Sequence, residues 1–270
     1  MNYGVFIISH GRADNQLTLN ALRKCGYNDG VFIVIDNLDE QKDLYLEKYD
    51  NVLVFDKEEY YSKSDSMDNF HILSSALYAR NFCLDKAKEL GLDYIVLLDD
   101  DLKSFNMRYN NDGKLSKKEI KDINKIFLSF IEYMEDAGIT CTSFGNEGGF
   151  IGGIHGKWGT GYGRTCCAAL IIKVNDGIRY LGTQNEDYNI SVKYWDKIFM
   201  ELYRVSFLTS KRGENDGGNN YDISGLYCSN FYSIMINPSF NKIAYHDNKI
   251  TLKRKWNSYV PMIISERWKK

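Results

Sequence analysis

With 270 residues, 44% hydrophobic, the chain is long enough to bury one large α/β core. A formal net charge of −2 excludes a global basic field for nucleic acid. No stretch approaches the roughly 20 apolar residues of a membrane span, and with only two prolines there is no Pro-rich linker.

Residues 5–8 read as a buried strand, so the amino terminus is a first strand rather than a signal peptide. Ser9-His10-Gly11-Arg12 is its exit loop. Asp14 is placed to cap a helix carrying Leu17, Leu19, Leu22 and Cys25, which Gly26 ends. Residues 31–35 form a second strand ending at Asp36. A charged helix follows, then a third strand over 52–55 and a polar, irregular stretch over 56–68. Residues 69–90 are predicted as one long helix closed by Gly91. Residues 94–98 are an unbroken apolar strand, as expected when both faces are covered, and it ends in Asp99-Asp100-Asp101. Strands alternating with helices predict a mostly parallel, doubly wound sheet flanked by helices.

Lys103 to Tyr109 starts a hairpin that turns at Asn111-Asp112-Gly113. Ser116 and Glu119 have capping-box spacing and predict a helix from there to about Ala137, striped by Ile120, Ile123, Phe127, Phe130, Ile131 and Met134. Strands are expected at 139–144, 166–174 and 199–208. Residues 145–163 hold nine glycines, with Trp158 and Tyr162 among them. Asn185 is expected to cap a helix that begins Glu186-Asp187 and has Trp195 near its end. A polar, Gly-rich loop spans 211–220, and the chain ends in a basic, aromatic tail after His246. Six cysteines, none in Cys-x-x-Cys spacing, read as reduced thiols of an intracellular protein. No internal repeat is visible. The chain reads as one domain, residues 1–110 binding a nucleotide and 111–270 an acceptor.

Three carboxylates at a strand end repel one another unless a cation sits among them. Hard oxygens suit Mg²⁺ or Mn²⁺ holding a diphosphate. In extended backbone Asp99 and Asp101 share a face while Asp100 points elsewhere. The ligand crevice of an open α/β sheet lies at these carboxyl ends. The plainer reading is a solvated acidic loop.

Ala79-Arg80-Asn81 in a helix, followed by a strand ending Asp-x-Asp, resembles the glycosyltransferases of the GT-A (Rossmann-like) fold, especially the inverting family-2 type. The likeness covers about residues 3–250. It implies a nucleotide-sugar donor, most simply a UDP-sugar, held by Ser9, His10, Gly11, Arg12, Asp36, Arg80, Asp99 and Asp100. It implies a Mn²⁺ or Mg²⁺ site of Asp101, Asp99 and His246, and catalysis by Asp187 as base with Glu186 beside it. Trp158 and Tyr162 are then placed to stack on a sugar or base of the acceptor. Gln-x-x-Arg-Trp, the motif of processive synthases, is missing, which fits a small soluble enzyme making one transfer. The opening Ser9-His10-Gly11-Arg12-Ala13-Asp14-Asn15-Gln16 also looks like phage DNA-modifying glycosyltransferases associated with base-oxidising enzymes. That likeness implies DNA with a 5-hydroxymethylpyrimidine as acceptor, in the cytoplasm of the host if phage-encoded.

Bland readings stand beside these. Arg80 also fits a structural ion pair, Asp36 a turn and His246 the core. Glu186 and Asp187 also fit a helix start favoured by negative charge. A Gly-rich structural turn explains 145–163 as well as a substrate lid does, and a solvated surface explains the basic tail. Rival functions are transfer to a glycan or protein hydroxyl, a metal-dependent nucleotidyltransferase or nuclease, and a silent binding module.

Overall fold

A computed structural model of the chain describes residues 2–67, 69–160, 162–163, 166–210, 231–239, 241–246 and 249–254. Its elements run β1 (Tyr3–Ile8), α1 (Leu17–Lys24), β2 (Val31–Asp36), α2 (Lys42–Lys48), β3 (Val52–Phe55), α3 (Lys57–Lys63), α4 (Ala76–Glu89), β4 (Tyr94–Asp99), β5 (Leu102–Asn111), β6 (Lys114–Glu119) and α5 (Ile123–Ala137). They continue with β7 (Cys141–Asn146), α6 (Lys157–Thr160), β8 (Tyr162–Gly163), β9 (Ala169–Lys173), α7 (Glu186–Lys193), β10 (Phe199–Thr209), β11 (Asn241–His246) and β12 (Lys249–Arg254).

One ten-stranded sheet has the order β3-β2-β1-β4-β9-β7-β10-β5-β6, with β8 paired to β10. Strands β1 to β4 are mutually parallel, and β7 and β10 run the same way. Strand β9 is antiparallel between β4 and β7. A separate ladder joins β11 to β12.

The apolar run of β4 supplies both faces of this sheet. Val96 and Leu98 face one core with Phe127 and Ile131 of α5, while Ile95 and Leu97 face another with Leu77, Tyr78 and Leu84 of α4. Side chains alternate across a strand, so four consecutive hydrophobes serve two layers. The chain goes from β1 to β2 on one side and reaches β4 on the other. The crevice above β1 and β4 is therefore the topological switch point, where such sheets bind ligands.

Several predicted elements are corrected. Ser116 and Glu119 lie in β6, not at a helix start; Asp122 caps α5 instead, accepting the Lys125 N–H at 3.1 Å. The Asp112-Gly113 turn has positive φ at both residues, a type I′ pattern that folds 114–119 back onto β5 before a helix can begin. The long helix over 69–90 is only α4. Met67 and His71 have left-handed backbone, and Ser75 caps at the Leu77 N–H. The irregular stretch contains α3, capped by Asp56 and anchored by Tyr60 against Phe55 and Phe82. Asp14 caps nothing; its carboxylate pairs with Lys48 on the surface, and Gln16 holds the N-cap position. The predicted 211–220 loop, Cys228 and the tail beyond 254 lie outside the described residues. Cys25, Cys83, Cys141, Cys166 and Cys167 are free thiols.

Candidate active site

The loop after β1 and the turn after β4 are built as one unit. Thr18, at the start of α1, donates its hydroxyl to the Asp99 carbonyl at 2.5 Å, accepts the Leu102 N–H at 2.9 Å and donates its own N–H to the Asp100 carbonyl at 3.2 Å. The three-acid turn is thereby held through its own backbone groups, two of them bonded to the Thr18 hydroxyl. Asp100 is buried and points into the first loop. Ser9 Oγ donates to its Oδ2 at 2.5 Å, and the Arg12 guanidinium pairs with its other oxygen. Tyr45 OH lies 2.7 Å from Ser9 Oγ and accepts the Arg12 N–H at 2.9 Å, while Gln16 donates to Ser9 Oγ at 2.8 Å. Burial pushes the Asp100 carboxyl up, opposed by Arg12 and Ser9. In this arrangement Asp100 braces the loop. Tyr45 carries no motif that sequence reading could have flagged, and Gln16 was marked only as the last residue of the opening segment.

Asp99 and Asp101 face other groups. Asp99 accepts from Arg80 Nη2 at 3.1 Å, yet 31% of its side chain remains exposed. Burial, then the neighbouring charges of Asp101, Asp100 and Asp187, outweigh Arg80 and push its pKa up to about 6. The Asp101 carbonyl accepts the Ser210 N–H at 2.9 Å, and its carboxylate accepts the Ser210 hydroxyl at 3.4 Å. The extended-strand argument reaches the right partition for Asp100, but β4 ends at Asp99 and the turn does the aiming.

The second acidic pair opens α7. Gly182 and Asn185 take left-handed backbone there. The Asn189 amide donates to the Leu181 and Gln184 carbonyls at 3.2 and 3.0 Å, and Ser75 Oγ ties the turn to α4 through the Thr183 carbonyl at 2.7 Å. Asn185 occupies the N-cap position as expected, but without a side-chain cap bond. Glu186 is buried with its carboxylate 3.5 Å from Arg80 Nε. Burial and then the Asp187 charge raise its pKa. Asp187 is half-buried beside it. One buried guanidinium, Arg80, thus joins the acid at the end of β4 to the acids at the start of α7. Its aromatic neighbour is Tyr180, with the ring centroid 5.5 Å from the guanidinium carbon.

A third cluster lies at the end of β2. Buried Asp36 takes His10 Nδ1 at 2.9 Å, Lys57 Nζ at 2.8 Å and the Leu38 N–H at 3.1 Å. Burial works to raise its pKa, but the His10 and Lys57 contacts win and hold it at about 2. The Asp36 bond chiefly raises the His10 pKa, while 47% of that ring stays exposed. Asp39 receives the Gly11 N–H at 2.8 Å. Sequence reading missed Asp39 and Lys57, because they are local only once β1, β2 and α3 are brought together.

The Trp158 carbonyl accepts from Arg204 Nη1 at 3.0 Å, and that guanidinium lies 4.5 Å from the ring centroid. Tyr162 pairs through its backbone with Leu202, and His246 ends β11. The side chains of Tyr162 and His246 lie outside the described residues. Buried Glu201 accepts from Tyr203 OH at 2.6 Å, and Glu147 pairs with Arg108; no motif marked either acid.

Among the described residues, no group of three or more His, Cys, Asp and Glu is arranged to hold a metal ion. Asp99 and Asp101 do offer two neighbouring carboxylates whose mutual repulsion a cation relieves. Mg²⁺ in particular is commonly held by one or two carboxylates together with substrate phosphates, so this donor set fits.

The sheet order and the acids around its switch point define a GT-A-like α/β enzyme. The sequence matches the TET-associated glycosyltransferase family over residues 3–218, most of the chain. The protein belongs to that family and is a glycosyltransferase, with a sugar donor and an acceptor. A search of curated proteins finds no match. Among the described residues, no helix is long and apolar enough to cross a membrane.

Proposed function

We propose that this glycosyltransferase moves a sugar from a nucleotide-sugar, most simply a UDP-sugar, to the hydroxyl of a 5-hydroxymethylpyrimidine in phage DNA, with inversion. The observation that carries the reading is the convergence of Asp99, Glu186 and Asp187 around Arg80 at the switch point, with the Asp101 charge beside Asp99.

The His10–Asp36–Lys57 cluster and the first loop hold the nucleotide. His10 meets Asp36 through Nδ1, and 47% of its side chain stays exposed for a ligand. Asp99 and Asp101, with His246, would hold Mn²⁺ or Mg²⁺, which when bound neutralises charge on the leaving diphosphate. Asp187 accepts the proton of the acceptor hydroxyl as that oxygen bonds to the anomeric carbon and the bond to the diphosphate breaks. A single displacement inverts that carbon. Buried Glu186 and Arg80 fix Asp187 and Asp99 in mutual register. Trp158 stacks on the acceptor, which must leave the duplex to reach Asp187.

The test is release of nucleoside diphosphate from a panel of nucleotide-sugars with Mn²⁺ or Mg²⁺, with and without DNA containing 5-hydroxymethylcytosine. Turnover that needs the modified DNA and is lost in Asp101→Asn and Asp187→Asn supports the whole reading. Turnover without DNA keeps the donor half and redirects the acceptor to a glycan or protein hydroxyl. No turnover with any donor overturns it.

A further inference from the structure

Strand β10 pairs with β5 only as far as Val205 opposite Met107. Beyond that point β5 and β6 pair with each other alone, from Arg108 opposite Lys117 to Asn111 opposite Lys114. The result is a two-stranded ribbon that continues past the sheet. An isolated hairpin is marginal in water, so something must hold this one. Its turn is locked by the type I′ backbone of Asp112-Gly113 and by the Gly113 N–H bond to Asn110 Oδ1 at 2.9 Å. One face is docked: Arg108 pairs with Glu147, donates to Ser206 Oγ at 2.8 Å and lies 4.5 Å from the Phe150 ring centroid.

Opposed residues of an antiparallel pair share a face. Met107, Tyr109 and Asn111 therefore stand with Lys118, Ser116 and Lys114 on the other face. Met107 and Tyr109 are 39% and 43% exposed, and both lysines are exposed with no ion-pair partner among the described residues. Residues 107–118 carry Arg108, Lys114, Lys117 and Lys118 against the single acid Asp112, in a chain of net charge −2. Lysines alone are explained as guards of a sheet edge. Guarding does not explain an exposed tyrosine and methionine set among them on a braced ribbon.

We infer that this face of the ribbon is a docking surface for duplex DNA, with Lys114 and Lys118 on backbone phosphates and Tyr109 packed between them. The inference rests on the DNA-acceptor reading and adds where the duplex is gripped. Positive charge on an otherwise acidic protein supplies the complementarity, and a two-stranded β-ribbon is narrow enough to enter the major groove.

The test is equilibrium binding of a duplex containing 5-hydroxymethylcytosine across a salt series, with K114Q/K118Q and, as a control on α3 and α4, K63Q/K86Q. Each phosphate contact contributes about 0.9 to the slope of log affinity against log salt. K114Q/K118Q is expected to bind more weakly, with a slope shallower by about 2. K63Q/K86Q is expected to match the wild type, and both variants should melt as the wild type does. Equal slopes in all three proteins overturn the ribbon assignment while leaving DNA as acceptor. So does a K114Q/K118Q protein changed only in sedimentation, which would make this face a contact between copies. A wild type that modifies glycans and binds no duplex overturns both readings.

Discussion

Arg80 Nη2 lies 3.1 Å from Asp99 Oδ1, and this contact ties α4 to the end of β4 inside the cleft. The same guanidinium lies 3.5 Å from Glu186, so its removal strands a buried carboxylate as well as a partly exposed one. Breaking a buried pair by deleting one partner costs about 3–5 kcal/mol. Arg80→Ala should therefore lower unfolding free energy by about 3 kcal/mol in urea titration. Adding Glu186→Gln should recover about 1 kcal/mol or more, because the stranded charge is gone. Strict additivity of the two substitutions would show that the pair is not coupled.

Asp100 and Asp101 are neighbours with opposite expected phenotypes. Asp100 is buried on Ser9 and Arg12. Asp100→Ala should destabilise the fold by about 3 kcal/mol, since Arg12 then loses its buried partner. Among the described residues the Asp101 carboxylate is held only by a serine hydroxyl at 3.4 Å. Asp101→Asn should leave the thermal midpoint near that of the wild type yet abolish turnover. Thermal melts and diphosphate release on the same two proteins check this. A stable Asp100→Ala protein would show that the first loop does not depend on this brace.

Much of the amino-terminal part of the sheet was legible because strand type and order are written in apolar runs: 5–8, 31–35 and 94–98 became β1, β2 and β4. The ends of those strands carried the acids, so Asp99 to Asp101 were found from position, whereas Asp36 became a site candidate only through the family resemblance. Their partners were not. Tyr45 reaches Ser9 across 36 residues, and Lys57 reaches Asp36 from a helix that polar composition concealed. Ser116 and Glu119 misled because capping-box spacing is local, whereas a type I′ turn two residues before Leu115 had already committed the segment to a hairpin.

Stability without a cation should fall on both sides of mildly acid pH. Asp36 has its pKa lowered to about 2. Its contribution is full above the ordinary carboxylate range and is lost as pH falls toward 2. Asp99 has its pKa raised to about 6, and Glu186 is raised too. The folded state then holds protons that the unfolded chain has released, so stability drops as pH rises from the ordinary range through about 6. His10, also raised, stabilises below its ordinary pKa and loses that contribution as pH climbs through the folded value. Mn²⁺ binds ionised carboxylates, so it should raise the melting temperature at about pH 7.5 and do little at about pH 4.5. Equal effects at both values would argue that these acids do not bind the cation.

Trp158 is positioned by Arg204 rather than by the core. The guanidinium lies 4.5 Å from its ring centroid and donates to its carbonyl at 3.0 Å. If the ring stacks on the acceptor base, truncation removes about 1–3 kcal/mol of binding. Trp158→Ala should then raise the acceptor KM by roughly tenfold, the lower part of that range, and leave the donor KM unchanged. Trp158→Phe keeps a stacking face and should recover most of the loss. Arg204→Ala should act in the same direction but less, because an exposed cation–π contact contributes only about 0.5–1 kcal/mol. Initial rates against varied acceptor and varied donor separate these outcomes. A donor KM that rises in step with the acceptor KM would move Trp158 from the acceptor side to the nucleotide side of the cleft.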